Sequence, residues 1–218
     1  MKSKHAIIAA LGLGALAATA VVAQGDDTKR VRVTYQNLTA GQGFAPSVFM
    51  SHDARAPKLY SMGGKASFGL AQLAETGNVG PVAVEAGMMA GKSVGKPAIG
   101  LPTMPGATGY VDLEVSAKHP MISGAWMLGM TNDGFTGISG VDAYALDRPR
   151  TMDVMAMDAG SERNNERKAY LVALKGTQPD PEGGRIARHA GIRGGADAPA
   201  QWKFDASKPV ARVTITPL

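Results

Sequence analysis

Residues 110–116, YVDLEVS, put Val111, Leu113 and Val115 on one side of an extended chain and Asp112, Glu114 and Ser116 on the other. Side chains alternate with period two along a strand, so this stretch predicts a strand with one buried and one wet face. Residues 122–130, ISGAWMLGM, are apolar on both faces, which suits a central strand covered on two sides. TNDGFTG (131–137) then reads as a turn and VDAYAL (141–146) as a continuation. TMDVMAM (151–157) is a further strand running straight into Asp158-Ala159-Gly160. Upstream, VRVTYQNL (31–38) alternates Val31, Val33 and Tyr35 against Arg32, Thr34 and Gln36, and SVFMSH (47–52) follows a Gly/Pro turn as a second strand. VARVTITPL (210–218) closes the set, with Ala211, Val213 and Ile215 expected on its inner face.

Only residues 65–76 carry a helical pattern, with Phe68, Leu70, Leu73 and Ala74 near one face and Gly77-Asn78 as the stop signal. After them come VAVEAG (82–87) and a Gly/Pro/Met-rich segment to Gly106, which is expected to be loop with short strand pieces. Residues 176–200, rich in Gly, Pro and Arg, are expected to be too irregular for core. Many short strands with Gly/Pro turns and one short helix predict a mainly β fold, an antiparallel β-sandwich.

Lys2 and Lys4 precede an apolar run over residues 6–23 that ends in Val21-Val22-Ala23. This is the layout of a signal peptide cut before Gln24, leaving 24–218 as a single domain without a second apolar run or a lipid-bearing cysteine. The chain is therefore expected in the periplasm or secreted, with no membrane span after cleavage. Two lysines of the modest +5 net charge leave with the leader, and neither the charge nor the compartment points to nucleic acid. The densest basic stretch, Arg185, Arg188, His189 and Arg193, reads as a solvated loop or as an anion or glycan contact. Cysteine is absent, so thiol catalysis and thiolate metal sites are excluded.

Four acids stand out: Glu114, Asp133, Asp158 and Glu162. Three of them lie in the glycine-marked stretches TNDGFTGISG (131–140) and MDAGSE (157–162), beside the turns or at their edge. Carboxylates gathered at strand ends suit calcium, which takes six to eight oxygen ligands. Each also has a local reading. Asp133 before Gly134 is ordinary turn chemistry, Asp158 can close a turn through backbone, and Glu114 can be a wet strand residue.

The pieces VTYQNLTAGQGFAPSVFMSH (33–52), GLAQLAETGN (69–78), LEV (113–115), NDGFTGISG (132–140), DVMAMDAGSE (153–162) and PVARVTITPL (209–218), in this order, resemble the spondin domain. This is the amino-terminal module of F-spondin and mindin, also found as a stand-alone exported bacterial protein. The resemblance implies a C2-like β-sandwich with a bound Ca2+. It places Glu114, Asp133, Asp158 and Glu162 on the acidic positions of that family's motifs. Glu162 stands where the motif carries Asp, Gly134 where it carries Trp, and Met155-Ala156 where it carries Tyr-Pro. The resemblance further implies a binding or adhesion module with an extracellular protein or glycan ligand.

Two other classes compete. Twelve methionines suggest a periplasmic copper-binding protein using thioether and imidazole ligands, with Met88, Met89, Met121 and His119 as candidates. A metal-assisted hydrolase at the acidic cluster is the third reading. His52, His119 and His189 accompany no nucleophile motif such as Gly-x-Ser-x-Gly, and the chain is read as a non-enzyme.

Overall fold

The computed structural model describes residues 27–89 and 97–218. The expected signal peptide, 1–23, lies outside the described residues. Among the described residues ten strands form two antiparallel sheets: β1 (Thr28–Asn37), β2 (Phe44–His52), β3 (Ala98–Gly100), β4 (Thr108–Ser116), β5 (Met121–Leu128), β6 (Gly134–Asp142), β7 (Arg150–Val154), β8 (Met157–Asp158), β9 (Ala187–Arg188) and β10 (Ala211–Pro217). One sheet has the order β4-β1-β10-β7, the other β3-β2-β5-β6-β8-β9. The fold is mainly β, as the strand patterns predict.

The alternations hold in detail. Val31, Val33 and Tyr35 of β1, Val111, Leu113 and Val115 of β4, and Ala211, Val213 and Ile215 of β10 all point into the gap between the sheets. There they meet Phe49, Ile122, Trp126 and Leu128 of the facing sheet. The doubly apolar β5 is buried on both sides for a specific reason. Ile122, Trp126 and Leu128 face the sandwich gap, whereas Ala125 and Met127 face a helical layer on the outside.

That layer corrects the expectation of one helix. α1 (Phe68–Thr76) is followed directly by α2 (Val79–Met89), so residues 82–87 are helical. Val82 and Ala86, one turn apart, are fully buried against α1 and β2. The glycines and β-branched valines of α2 have poor helix propensity, and packing overrides it. Ser67 caps α1 by accepting from the Leu70 N–H, and Gly77 ends it at φ 70°, a left-handed conformation that glycine adopts freely. Phe68, expected on the buried face, is exposed.

The predicted strand 151–157 is two strands. β7 pairs with β10 in one sheet, while β8 pairs with β6 and β9 in the other, so the chain crosses between sheets at Met155-Ala156. Residues 176–200 also contribute to the interior, against expectation: Ile186 joins the helical-side core, and Ile192 and Ala198 pack on Leu171. Among the described residues no helix is long and apolar enough to cross a membrane.

Candidate functional site

The β5–β6 turn and the segment after β8 meet because Gly134 pairs with Asp158. The Asp133 carbonyl accepts the Ala159 N–H at 3.1 Å, and its side chain reaches across to the next turn. Oδ2 of Asp133 accepts from the Ser161 N–H (2.8 Å), the Glu162 N–H (3.0 Å) and the Ser161 hydroxyl (3.2 Å). Thr131 tightens the same turn, its hydroxyl accepting from the Gly134 N–H and donating to the Leu128 carbonyl. Asp158 Oδ1 accepts the Gly160 N–H at 2.7 Å, closing an Asx turn, and Oδ2 accepts from the Asn164 amide. Gly160 is required there. Its φ is 68°, and a Cβ would sit 2.5 Å from the Arg185 nitrogen.

The 160–163 segment is laced to 180–184. Glu162 bridges Pro181, and the Arg163, Glu182 and Gly184 N–H groups donate to the Asp180, Ser161 and Gly160 carbonyls. Glu162 lines a cavity of about 420 Å³ together with Glu75 and Tyr170.

Three of the four acids singled out in the sequence, Asp133, Asp158 and Glu162, therefore gather on two adjoining loops. Glu114 does not join them. It lies exposed on β4 in the other sheet, opposite Arg30 near the start of β1, whereas Asp133 follows the end of β5 that pairs with Phe44. Among the described residues no group of three or more His, Asp or Glu is drawn together tightly enough to hold a metal as it stands.

Asp133 is fully buried, and its Oδ1 has no hydrogen-bond partner; the neighbouring Asn132 side-chain nitrogen is likewise buried and unpaired. Burial, with the Asp158 charge beside it, pushes the Asp133 carboxyl up to about 6 against the three hydrogen bonds that pull it down. Burial and the like charge of Glu75, with lesser contributions from Asp133 and Asp180, push Glu162 up to about 7. Among the described residues no basic side chain pulls either value down.

Two other residues of this end take roles that the sequence does not signal. Asp180 anchors Asn165 and Arg163, and it is brought in only by the antiparallel return of the chain. His189 is buried, not a solvated cation. Its Nδ1 accepts the Gly191 N–H, its ring packs on Phe204, and burial holds its pKa below the usual value.

The remaining candidates are dispersed. Met88 is exposed on α2, the Met89 side chain lies outside the described residues, and His119 and Met121 flank the β4–β5 turn. Ser123 and His52 do form a hydroxyl–imidazole pair at 2.8 Å, with the other ring nitrogen on the Asp53 carbonyl. Both residues are buried, and the Ser123 oxygen also accepts the Gly140 N–H, so the pair ties β2 to β5 and β6. No protein-family model and no curated protein matches this chain.

Proposed function

We propose that the chain is an exported binding module of the spondin type, in which the 131–134 turn and the 157–164 loop share a calcium-type ion. The observation that carries this reading is the Asp133 carboxylate. It is fully buried, has one oxygen without a partner, and lies beside Asp158 and Glu162, and among the described residues no basic side chain lowers its pKa. Folding alone leaves such a group uncompensated, and a hard cation compensates it. Asp133 Oδ1 is the buried donor, with Asp158 and Glu162 beside it, and Glu114 belongs to a different surface. The ion's chemistry is charge neutralisation, which offsets the repulsion between the carboxylates of two loops already joined by hydrogen bonds. The loops at this end and the arginine-bearing 176–200 segment then form the contact surface for an extracellular protein or glycan.

The test is the melting temperature of the purified protein in EDTA and after adding calcium, magnesium or copper. A ligand bound only by the folded state adds about 2.7 kcal/mol at a hundredfold excess over Kd. Calcium is expected to raise the melting temperature, Asp158→Ala to abolish the rise, and Glu114→Ala to keep it. No calcium response, or a response that survives Asp158→Ala, would sink the reading.

A further inference from the structure

Core filling accounts for some of the methionines. Met50 and Met127, each 2% exposed, plug gaps between the outer sheet and the helices. Met157, 8% exposed, belongs to the same core cluster, but it also reaches a pocket shared with two methionines outside that cluster. Met62, Met155 and Met157 line a single pocket of about 210 Å³, with Tyr60, Gly137, Val154 and Arg188 as its remaining walls. They come from separate parts of the chain: the turn before α1, the crossover between sheets, and β8.

Met62 is 54% exposed, so packing does not explain a long apolar side chain there. Its turn is nevertheless fixed. The Gly63 N–H donates to the Ile186 carbonyl and the Ile186 N–H to the Gly64 carbonyl, both at 2.8 Å, and the Arg185 guanidinium donates to the Gly63 carbonyl at 2.9 Å. Ile186 leads into β9, where Arg188 pairs with Met157. The backbone carrying Met62 is thereby registered against the backbone carrying Met157, and Met155 is held by its carbonyl, which accepts from the Thr136 hydroxyl at 2.9 Å.

Thioether sulfur is a soft, neutral donor, unsuited to calcium and suited to copper(I). We propose that Met62, Met155 and Met157 form a thioether site for a soft monovalent metal ion, copper(I). This site uses no carboxylate, although Met157 adjoins Asp158 of the acidic loop in β8. Among the described residues Arg188 is the one charged group lining the pocket; it is exposed, so solvent screens its repulsion of a cation.

The test is anaerobic titration of the purified protein with copper(I) in competition with bicinchoninate. Silver(I) in chloride-free buffer serves as the redox-inert probe. One ion per chain is expected. Loss of a mere outer-sphere partner costs a metal site about 10-fold or more, so Met62→Leu and Met155→Leu should each weaken binding by at least that factor. The triple variant with Met157→Leu should bind nothing in the competition range. Leucine conserves volume, and Met62 is half exposed, so M62L separates ligation from folding. Met88→Leu and Met104→Leu, exposed elsewhere, should leave affinity unchanged. Absent uptake, unaltered affinity in M62L, or equal weakening in M88L or M104L would each overturn the proposal.

Discussion

At Asp133 one carboxylate oxygen accepts three hydrogen bonds and the other accepts none, and both are buried. The consequence is a pH dependence with a definite sign. A carboxyl whose folded pKa lies above its unfolded value binds its proton more tightly in the native state. Its contribution is full below the unfolded pKa and is lost as pH rises through the folded one. With Asp133 at about 6 and Glu162 at about 7, stability in EDTA should fall as pH rises from about 4 to about 7. Calcium should reverse this trend, since deprotonated carboxylates are its ligands. Melting temperatures across that range, with and without calcium, check both statements, and Asp133→Asn should flatten the EDTA curve. The Asp133 turn was legible from Asn132-Asp133-Gly134. The orphaned Oδ1 was not, because it depends on which backbone N–H groups the 160–162 segment brings to the other oxygen.

Among the elements, α2 and the β7–β8 break show where local pattern stops being sufficient. α2 gives little helical signal, yet its Glu85 carboxylate accepts from the Ser67 hydroxyl and from the Gly69 N–H, satisfying donors at the start of α1. An acid from one helix thus caps the neighbouring helix. Glu85→Ala should cost about 1 kcal/mol, the usual scale of a lost cap, and should raise amide exchange in the first turn of α1 before it affects the sheets. The β7–β8 break is illegible for a different reason. Residues 151–157 are uniformly strand-like, and only the presence of two sheets to pair with tells which residues belong to which. The glycine at 124 also answers to tertiary contact, since a Cβ there would meet the Phe49 ring at 2.1 Å.

For the whole molecule, the centre is an aromatic cluster in which Trp126 packs against Tyr35, Phe44 and Phe49 at ring-centroid distances of 5.2–5.9 Å. Trp126 belongs to the sheet that also supports the helices, so its loss should be felt throughout. Trp126→Ala is expected to cost about 3–5 kcal/mol, the range for emptying a large aromatic site, and equilibrium urea unfolding measures it. The outer face of the β4-β1-β10-β7 sheet contributes little by comparison. The Arg32–Asp112 and Arg212–Asp153 pairs there are solvated, and solvated pairs are worth at most about 1 kcal/mol.

The sequence by itself determined β1, β4 and β10 and their inward faces, because burial on one side of a sheet writes a period-two pattern into them, whereas the turn read over 131–137 is in part strand, β6 beginning at Gly134 and ending at Asp142. It also determined that β5 is central, because a strand covered on both faces must be apolar on both. Only the tertiary structure decided that α2 is a helix and that one apparent strand serves two sheets. It alone separated Glu114 from the other three acids and gathered Met62, Met155 and Met157 around one pocket. These outcomes turn on contacts between residues far apart in the chain, and such contacts leave no local periodicity to read.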